Sequence, residues 1–127
     1  MNSRRRGRRE GRRKGMAEEK KYITLFEIYT GLCVTITNLV YGQTHFTGDN
    51  PADVLNEINS ELEPYALSGK LMERDKLYLL IQKCHAFQHH FHVDISAAVS
   101  RLEAIYENPE LYDRTENLRQ RKLYRGL

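Results

Sequence analysis

The longest helical pattern in the chain is KLMERDKLYLLIQKCHAFQHHFH, residues 70–92. At about 100° of rotation per residue, its apolar side chains fall on one face and its charged side chains fall elsewhere. A helix with this pattern buries that face against neighbouring elements. We therefore predict a central helix, and its buried face consists of Leu77, Leu80, Ile81, Cys84, Phe87 and Phe91.

A first helix is predicted over residues 22–41, where apolar side chains recur at helical spacing. Two features weaken this prediction. Gly31 destabilises a helix interior by about 1 kcal/mol, and residues 33–37 are rich in β-branched side chains that alternate as in a strand. Gly42 is expected to end this helix, and residues 43–50 follow as a loop that contains a turn.

The clearest start of a helix is the pair Asn50-Pro51. Asp49 or Asn50 caps the helix, and proline suits its first position because a backbone N–H would be unpaired there. Pro64 is expected to limit this second helix or to kink it, since its ring disfavours the helical conformation of the preceding residue, with at most one short turn over residues 65–67. The chain then breaks at Gly69, before the central helix.

A fourth helix is predicted after the central one. Asp94 or Ser96 is its expected cap, and Pro109 follows its end. Tyr112 should pack back on the body of the protein. Residues 113–124 have a helical composition but only a thin apolar stripe, so we expect a marginal helix that is exposed to solvent.

These patterns predict an all-α protein, a single small bundle of four main helices with a marginal C-terminal helix. A chain of 127 residues is long enough for one modest hydrophobic core. We divide it into an Arg-rich leader that is expected to be disordered, residues 1–20, a helical bundle, residues 21–112, and a basic C-terminal helix or tail, residues 113–127.

The net charge of +3 is distributed unevenly along the chain. Residues 1–15 carry seven Arg and one Lys against one Glu, a net charge of +7. Residues 114–127 carry four Arg and one Lys against one Glu, a net charge of +4. The body, residues 16–113, carries seven basic and fifteen acidic side chains, a net charge of −8. The basic ends therefore suit nucleic acid, whereas the acidic body repels it.

The leader contains the run RRRGRREGRRKG, residues 4–15. Such a segment binds phosphate groups by counterion release, or serves only as a solubilising tail. A third interpretation concerns the gene. Arg, Gly, Glu and Lys all have codons made only of purines, so a translated ribosome-binding region would have this composition, with the true start at Met16. That interpretation fits a compact bacterial or phage gene.

Three histidines share one face of the predicted central helix. His85, His89 and His92 are spaced i, i+4 and i+7, and the i, i+4 pair suits Zn²⁺ or another transition metal. The alternatives are a solvated helix edge and a partner-contact or pH-sensitive surface. A fourth metal ligand would come from His45, Asp94 or Cys84.

The C-terminal segment is the second candidate contact site. Its basic side chains and tyrosine are typical of protein interfaces, and its charge suits a polyanion. The competing interpretation is a solvated, frayed helix. The candidate residues for contact with a partner or polyanion are Arg114, Arg119, Arg121, Lys122, Tyr124 and Arg125.

Several classes of function are disfavoured by the sequence. No nucleophile, paired-carboxylate or phosphate-binding motif is recognisable, so we expect neither an enzyme nor an obligatory cofactor. Cys33 and Cys84 each lie on an apolar stripe, which is typical of buried free thiols in an intracellular protein. No uninterrupted apolar run reaches the roughly 18 residues of a membrane span, so we expect a cytoplasmic location and no membrane contact.

Three functions are compatible with these observations. The preferred one is a small non-enzymatic interaction or regulatory protein that binds or inhibits a protein partner, as proteins of bacterial or mobile-element origin do. The second is a nucleic-acid-associated protein that uses its basic ends. The third is a metal-binding bundle that holds zinc through His85, His89 and His92. Self-association is compatible with all three.

Overall fold

The computed structural model describes residues 22–42 and 50–125. Within these ranges the all-α prediction is confirmed, and the only β pairing is one isolated bridge. The predictions made for the leader and for the loop that contains His45 concern residues outside these ranges. The helices are α1 (Leu25–Gly42), α2 (Pro51–Ser68), α3 (Arg74–Phe91), α4 (Ser96–Glu107) and α5 (Arg114–Arg125), with a 3₁₀ turn at Pro109–Leu111.

The buried face predicted for the third helix is confirmed, whereas its central position is corrected, because α1 and α2 each pack against three other helices and α3 against two. α3 packs between α2 and α4, and its predicted apolar face is buried from Leu77 to Phe87, while Phe91 is half-buried. Cys84 is fully buried in this face as a free thiol. Burial raises the pKa of Cys84 to about 11, and the nearby Glu61 carboxylate acts in the same direction.

The second helix begins as predicted and ends later than predicted. The Asn50 side chain caps α2 by accepting a hydrogen bond from the Ala52 N–H at 2.8 Å. The expectation that Pro64 limits the helix is corrected, because α2 continues through Pro64 to Ser68. Pro64 lies on the exposed side of α2, as does Ser60, whose carbonyl lacks its N–H partner there and can be reached by water, while Ala66 two residues further is fully buried.

Gly69 ends α2 in the left-handed conformation, with φ at 81°. Its N–H donates a hydrogen bond to the carbonyl oxygen of Tyr65 at 2.8 Å, which closes the last turn. A Cβ atom at Gly69 would lie 2.8 Å from the side chain of Leu118 in α5. Glycine is therefore required here both by the backbone conformation and by the close approach of α5.

α5 differs from the solvent-exposed helix that its composition predicts. Asn117 is 0% exposed, and its side-chain amide donates a hydrogen bond to the Ala66 carbonyl at 2.9 Å. The oxygen of the same amide accepts a hydrogen bond from the Phe26 N–H at 2.7 Å. One polar side chain thus joins α5 to both α1 and α2, so that these helices form one packed unit.

The chain before α1 also contacts the start of α5. The Ile23 N–H donates to the Leu111 carbonyl at 2.8 Å, and the Asp113 N–H donates to the Ile23 carbonyl at 2.9 Å. The prediction that Tyr112 packs on the body is confirmed, since its ring lies against the core and its hydroxyl donates to the Gly69 carbonyl. Burial raises the pKa of Tyr112 to about 12.

α1 exposes more apolar surface than the other core helices. Its fully buried residues lie towards its N-terminal end, whereas Val34, Val40 and Tyr41 are exposed. After Glu27 it carries no charged side chain. By length and composition alone α1 could cross a membrane, a test that the core helix of a bundle also passes. In this fold it packs along α2 and contacts α4 and α5.

Candidate functional site

A groove with a volume of about 670 Å³ lies between α1, α2 and α5. It exists because Asn117 holds α5 against the other two helices, so that the C-terminal half of α5 forms a wall. We call this surface the α1–α2–α5 groove. Its lining includes Tyr29, Cys33 and Val34 from α1, Glu63 and Leu67 from α2, and Arg121 and Tyr124 from α5.

The aromatic end of the groove is formed by Phe26 and Tyr124. Their rings meet edge to face, with 5.5 Å between centroids and 67° between planes. Phe26 is buried, whereas Tyr124 is 61% exposed. Tyr124 therefore presents an accessible aromatic surface whose position is supported by a buried neighbour.

The α1 wall is joined to α2 through Tyr29. The Tyr29 hydroxyl donates a hydrogen bond to the Glu63 carboxylate at 3.1 Å. The Asn59 amide donates to the Tyr29 carbonyl at 3.2 Å and to the Cys33 sulfur at 3.4 Å. Burial, followed by the neighbouring Cys33 and Glu63, raises the pKa of Tyr29, so that it is a neutral hydrogen-bond donor at physiological pH.

Within the described part of the chain, the groove is lined by one basic and one acidic side chain, Arg121 and Glu63, and Arg121 lacks a partner. Its Nε atom is buried without a hydrogen-bond partner, a condition shared among the described residues only with the Asn59 side-chain oxygen. No acidic side chain in the described ranges lies within ion-pair distance of it. Buried polar atoms in native proteins are nearly always paired. The α1–α2–α5 groove therefore contains an unsatisfied guanidinium beside an apolar wall.

Of the other predicted contact residues of α5, Tyr124 lines the groove with Arg121, whereas Arg114, Arg119 and Lys122 do not line it. Arg119 forms an ion pair with Glu116 and lies about 200° around the helix from Arg121, because residues two apart point in nearly opposite directions. Arg114 and Lys122 are exposed to solvent. Arg125 belongs to α5, but its side chain is outside the described part. The predicted polyanion contact of this segment stays a prediction.

The histidine row is interrupted where α3 ends. The helix stops at Phe91, and His92 adopts the left-handed conformation with φ at 58°. His85 lies 2.8 Å from the Glu103 carboxylate of α4, and His89 is exposed. Within residues 22–42 and 50–125, no three metal-binding side chains form a group that could hold an ion. The zinc hypothesis for His85, His89 and His92 stays a prediction.

A second exposed patch contains Tyr78 and Leu79 of α3 beside Tyr106 of α4. Its arginine, Arg74, is fully engaged by neighbours. The Arg74 guanidinium donates to the Tyr106 carbonyl at 2.6 Å and lies 3.9 Å from the centre of the Tyr106 ring. This patch therefore lacks the unpaired charge that distinguishes the α1–α2–α5 groove.

Sequence reasoning identified Arg121 and Tyr124 but missed the residues that face them across the groove, among them Tyr29, Cys33 and Glu63. The sequence contained one usable signal, since residues 28–42 carry no charged side chain on any face of the helix. A helix that buries only one face does not need the others to be uncharged. Comparisons with protein families, curated proteins and solved structures found no match.

Proposed function

We propose that this chain is a small, non-enzymatic, cytoplasmic interaction protein that binds a segment of another protein in the α1–α2–α5 groove and regulates that protein by occupying it. The observation that carries the proposal is the meeting of Arg121 and Tyr124 with exposed Val34 on one concave surface. Arginine and tyrosine are enriched at the energetic centres of protein interfaces.

The shape of the groove supports a polypeptide rather than a small molecule. Pockets for small ligands enclose most of the ligand, whereas Val34 and Tyr124 on these walls are 60% and 61% exposed. A surface of this kind suits a ligand that continues beyond the groove. It also resembles the grooves in which amphipathic helices bind.

The proposal is tested with a displayed library of random peptides, selected on the full chain. Val34→Glu places a charge in the groove, and Val40→Glu is the matched control on the same helix, since Val40 is equally exposed but does not line the groove. We expect selected peptides to lose at least about tenfold in affinity for Val34→Glu, because an unpaired charge is desolvated there. Val40→Glu should bind them nearly as tightly as the unaltered chain.

Two outcomes would overturn the proposal. In the first, the selected peptides bind Val34→Glu and Val40→Glu equally, which places their site elsewhere. In the second, no peptide is enriched, while a DNA duplex binds the chain and both variants with a strong salt dependence. That result would favour the nucleic-acid function of the basic ends.

A further inference from the structure

We infer that the occupant of the α1–α2–α5 groove is an amphipathic helix of a protein partner, and that it presents a carboxylate to Arg121 and an apolar face to α1. This inference rests on the proposed function and adds the chemistry of the partner. Its basis is the pairing state of the charges around the groove.

The acidic side chains near α5 already have partners. Glu63, which also lines the groove, accepts a hydrogen bond from the neutral Tyr29 hydroxyl at 3.1 Å and keeps its charge on the α2 wall, and Glu27 accepts a hydrogen bond from Gln120 at 3.2 Å. Glu116 is paired with Arg119, whose guanidinium holds the pKa of that carboxyl below its usual value. Arg121 has no such neighbour. Because Nε is buried and Arg121 as a whole is half-buried, a carboxylate of the occupant would pair with the terminal nitrogens of the guanidinium through charge-assisted hydrogen bonds.

The α1 wall favours an apolar face on the occupant. Val34 is exposed there, and no charged side chain follows Glu27 in α1. The hydroxyls of Thr30 and Thr37 donate to backbone carbonyls of α1 at 3.0 Å, which leaves them less available to a ligand. Asn38 is the amide of this wall that can still bind a ligand, and elsewhere on the wall an occupant's polar groups would lose hydrogen bonds to water with little replacement.

The walls of the groove determine which secondary structure its occupant can adopt. They are α-helices, whose backbone N–H and C=O groups bond within each helix, so the groove offers no strand edge for an extended peptide. A segment that enters it must satisfy its own backbone groups. A helix does so and can present an acidic side chain and an apolar face at the same time.

The test uses the tightest peptide from the display selection, synthesised with its acidic residue and with glutamine or arginine in that place. Arg121→Glu is compared with Lys122→Glu, an identical change of charge at an exposed neighbour outside the groove. We expect Arg121→Glu to weaken binding of the acidic peptide by at least about tenfold, because a desolvated attraction becomes a repulsion. Lys122→Glu should change the affinity by less than about threefold, since an exposed charge is screened.

Charge exchange separates this contact from misfolding of the variant. The arginine-bearing peptide should bind Arg121→Glu more tightly than the acidic peptide does, which an unfolded variant could not show. The helical circular dichroism signal should increase when the peptide binds. Together these results would establish both the carboxylate contact and the helical form of the occupant.

Other outcomes overturn the inference without overturning the groove. Selected peptides that depend on Val34 but lack an acidic residue, or bind Arg121→Glu unchanged, would retain the proposed function and remove the carboxylate contact. Peptides that bind without gaining helix would remove the helical occupant. Sedimentation that shows a dimer of the chain, dissociated by Val34→Glu, would identify a second copy as the occupant instead.

Discussion

The side-chain oxygen of Asn117 accepts a hydrogen bond from the backbone N–H of Phe26 at 2.7 Å, although the two residues lie 91 positions apart in the chain. The same amide donates to the Ala66 carbonyl at 2.9 Å. The Phe26 N–H lies in the first turn of α1 and the Ala66 carbonyl in the last turn of α2. Backbone groups at these positions have no partner within their own helix. This side chain therefore supplies two buried contacts that hold α5 against α1 and α2 and so support the third wall of the α1–α2–α5 groove.

Replacing Asn117 by alanine should destabilise the fold by about 2–4 kcal/mol, because two buried backbone groups lose their partner. Lys122→Ala on the same helix is the control, and its effect should stay within about 0.5 kcal/mol because Lys122 is exposed. Chemical denaturation of the variants measures both values. Equal stability of Asn117→Ala and Lys122→Ala would show that Asn117 does not hold α5 in place.

Replacement by alanine should change the stability of the protein in opposite directions at two glycines. Gly69→Ala introduces a Cβ at φ 81° and 2.8 Å from Leu118, so we expect a loss of about 1–2 kcal/mol. Gly31 lies inside α1, and a Cβ atom there would have nothing within 4 Å. Gly31→Ala should therefore raise the free energy of unfolding by about 0.5–1 kcal/mol. Thermal unfolding of the pair tests this prediction. A gain at Gly69 would contradict the left-handed cap.

Pro64→Ala should stabilise the protein. Alanine restores the backbone N–H that α2 lacks in its last five residues. The greater conformational freedom of the unfolded chain offsets part of this gain, so we expect the free energy of unfolding to rise by about 2 kcal/mol. The measurement is the free energy of unfolding in urea. A loss of stability would mean that α2 does not continue through this position as a regular helix.

The two thiols should differ in reactivity. Cys84 is fully buried with its pKa raised to about 11, so below that pH it is mostly the unreactive thiol. Cys33 is half-buried and lines the α1–α2–α5 groove. A maleimide at neutral pH should therefore modify Cys33 first and Cys84 only after unfolding, as peptide mass mapping would show. Equal labelling of both in the native protein would contradict the buried position of α3.

The sequence predicted the features that depend on local pattern. The buried face of α3 and the cap at Asn50 follow from spacing and from residue type, and both are present. The prediction that α2 ends at Pro64 was wrong because helix propensity takes no account of whether water can reach the carbonyl that loses its N–H partner. The role of Asn117 in holding α5 was not predicted, because it depends on two backbone groups that are distant in the chain.

The candidate site was partly predictable for the same reason. Arg121 and Tyr124 were identified from residue type alone, as chemistry that suits an interface. The spacing of Arg119 and Arg121 already separates them around a helix, but which of the two faces the bundle depends on how α5 packs. The histidine spacing was read correctly, but the end of α3 at Phe91 removes His92 from the helical face that the pattern assumed.

The central claim is that α5 belongs to the folded bundle and forms a wall of the groove. Native-state hydrogen exchange of the α5 amides tests it most directly. We predict that the amides around Asn117 and Arg121 exchange with protection close to that of α1 and α2, and that Asn117→Ala abolishes this protection in α5 before it does so in α3. Exchange of the α5 amides at the rate of an unstructured segment, while α3 stays protected, would contradict the account.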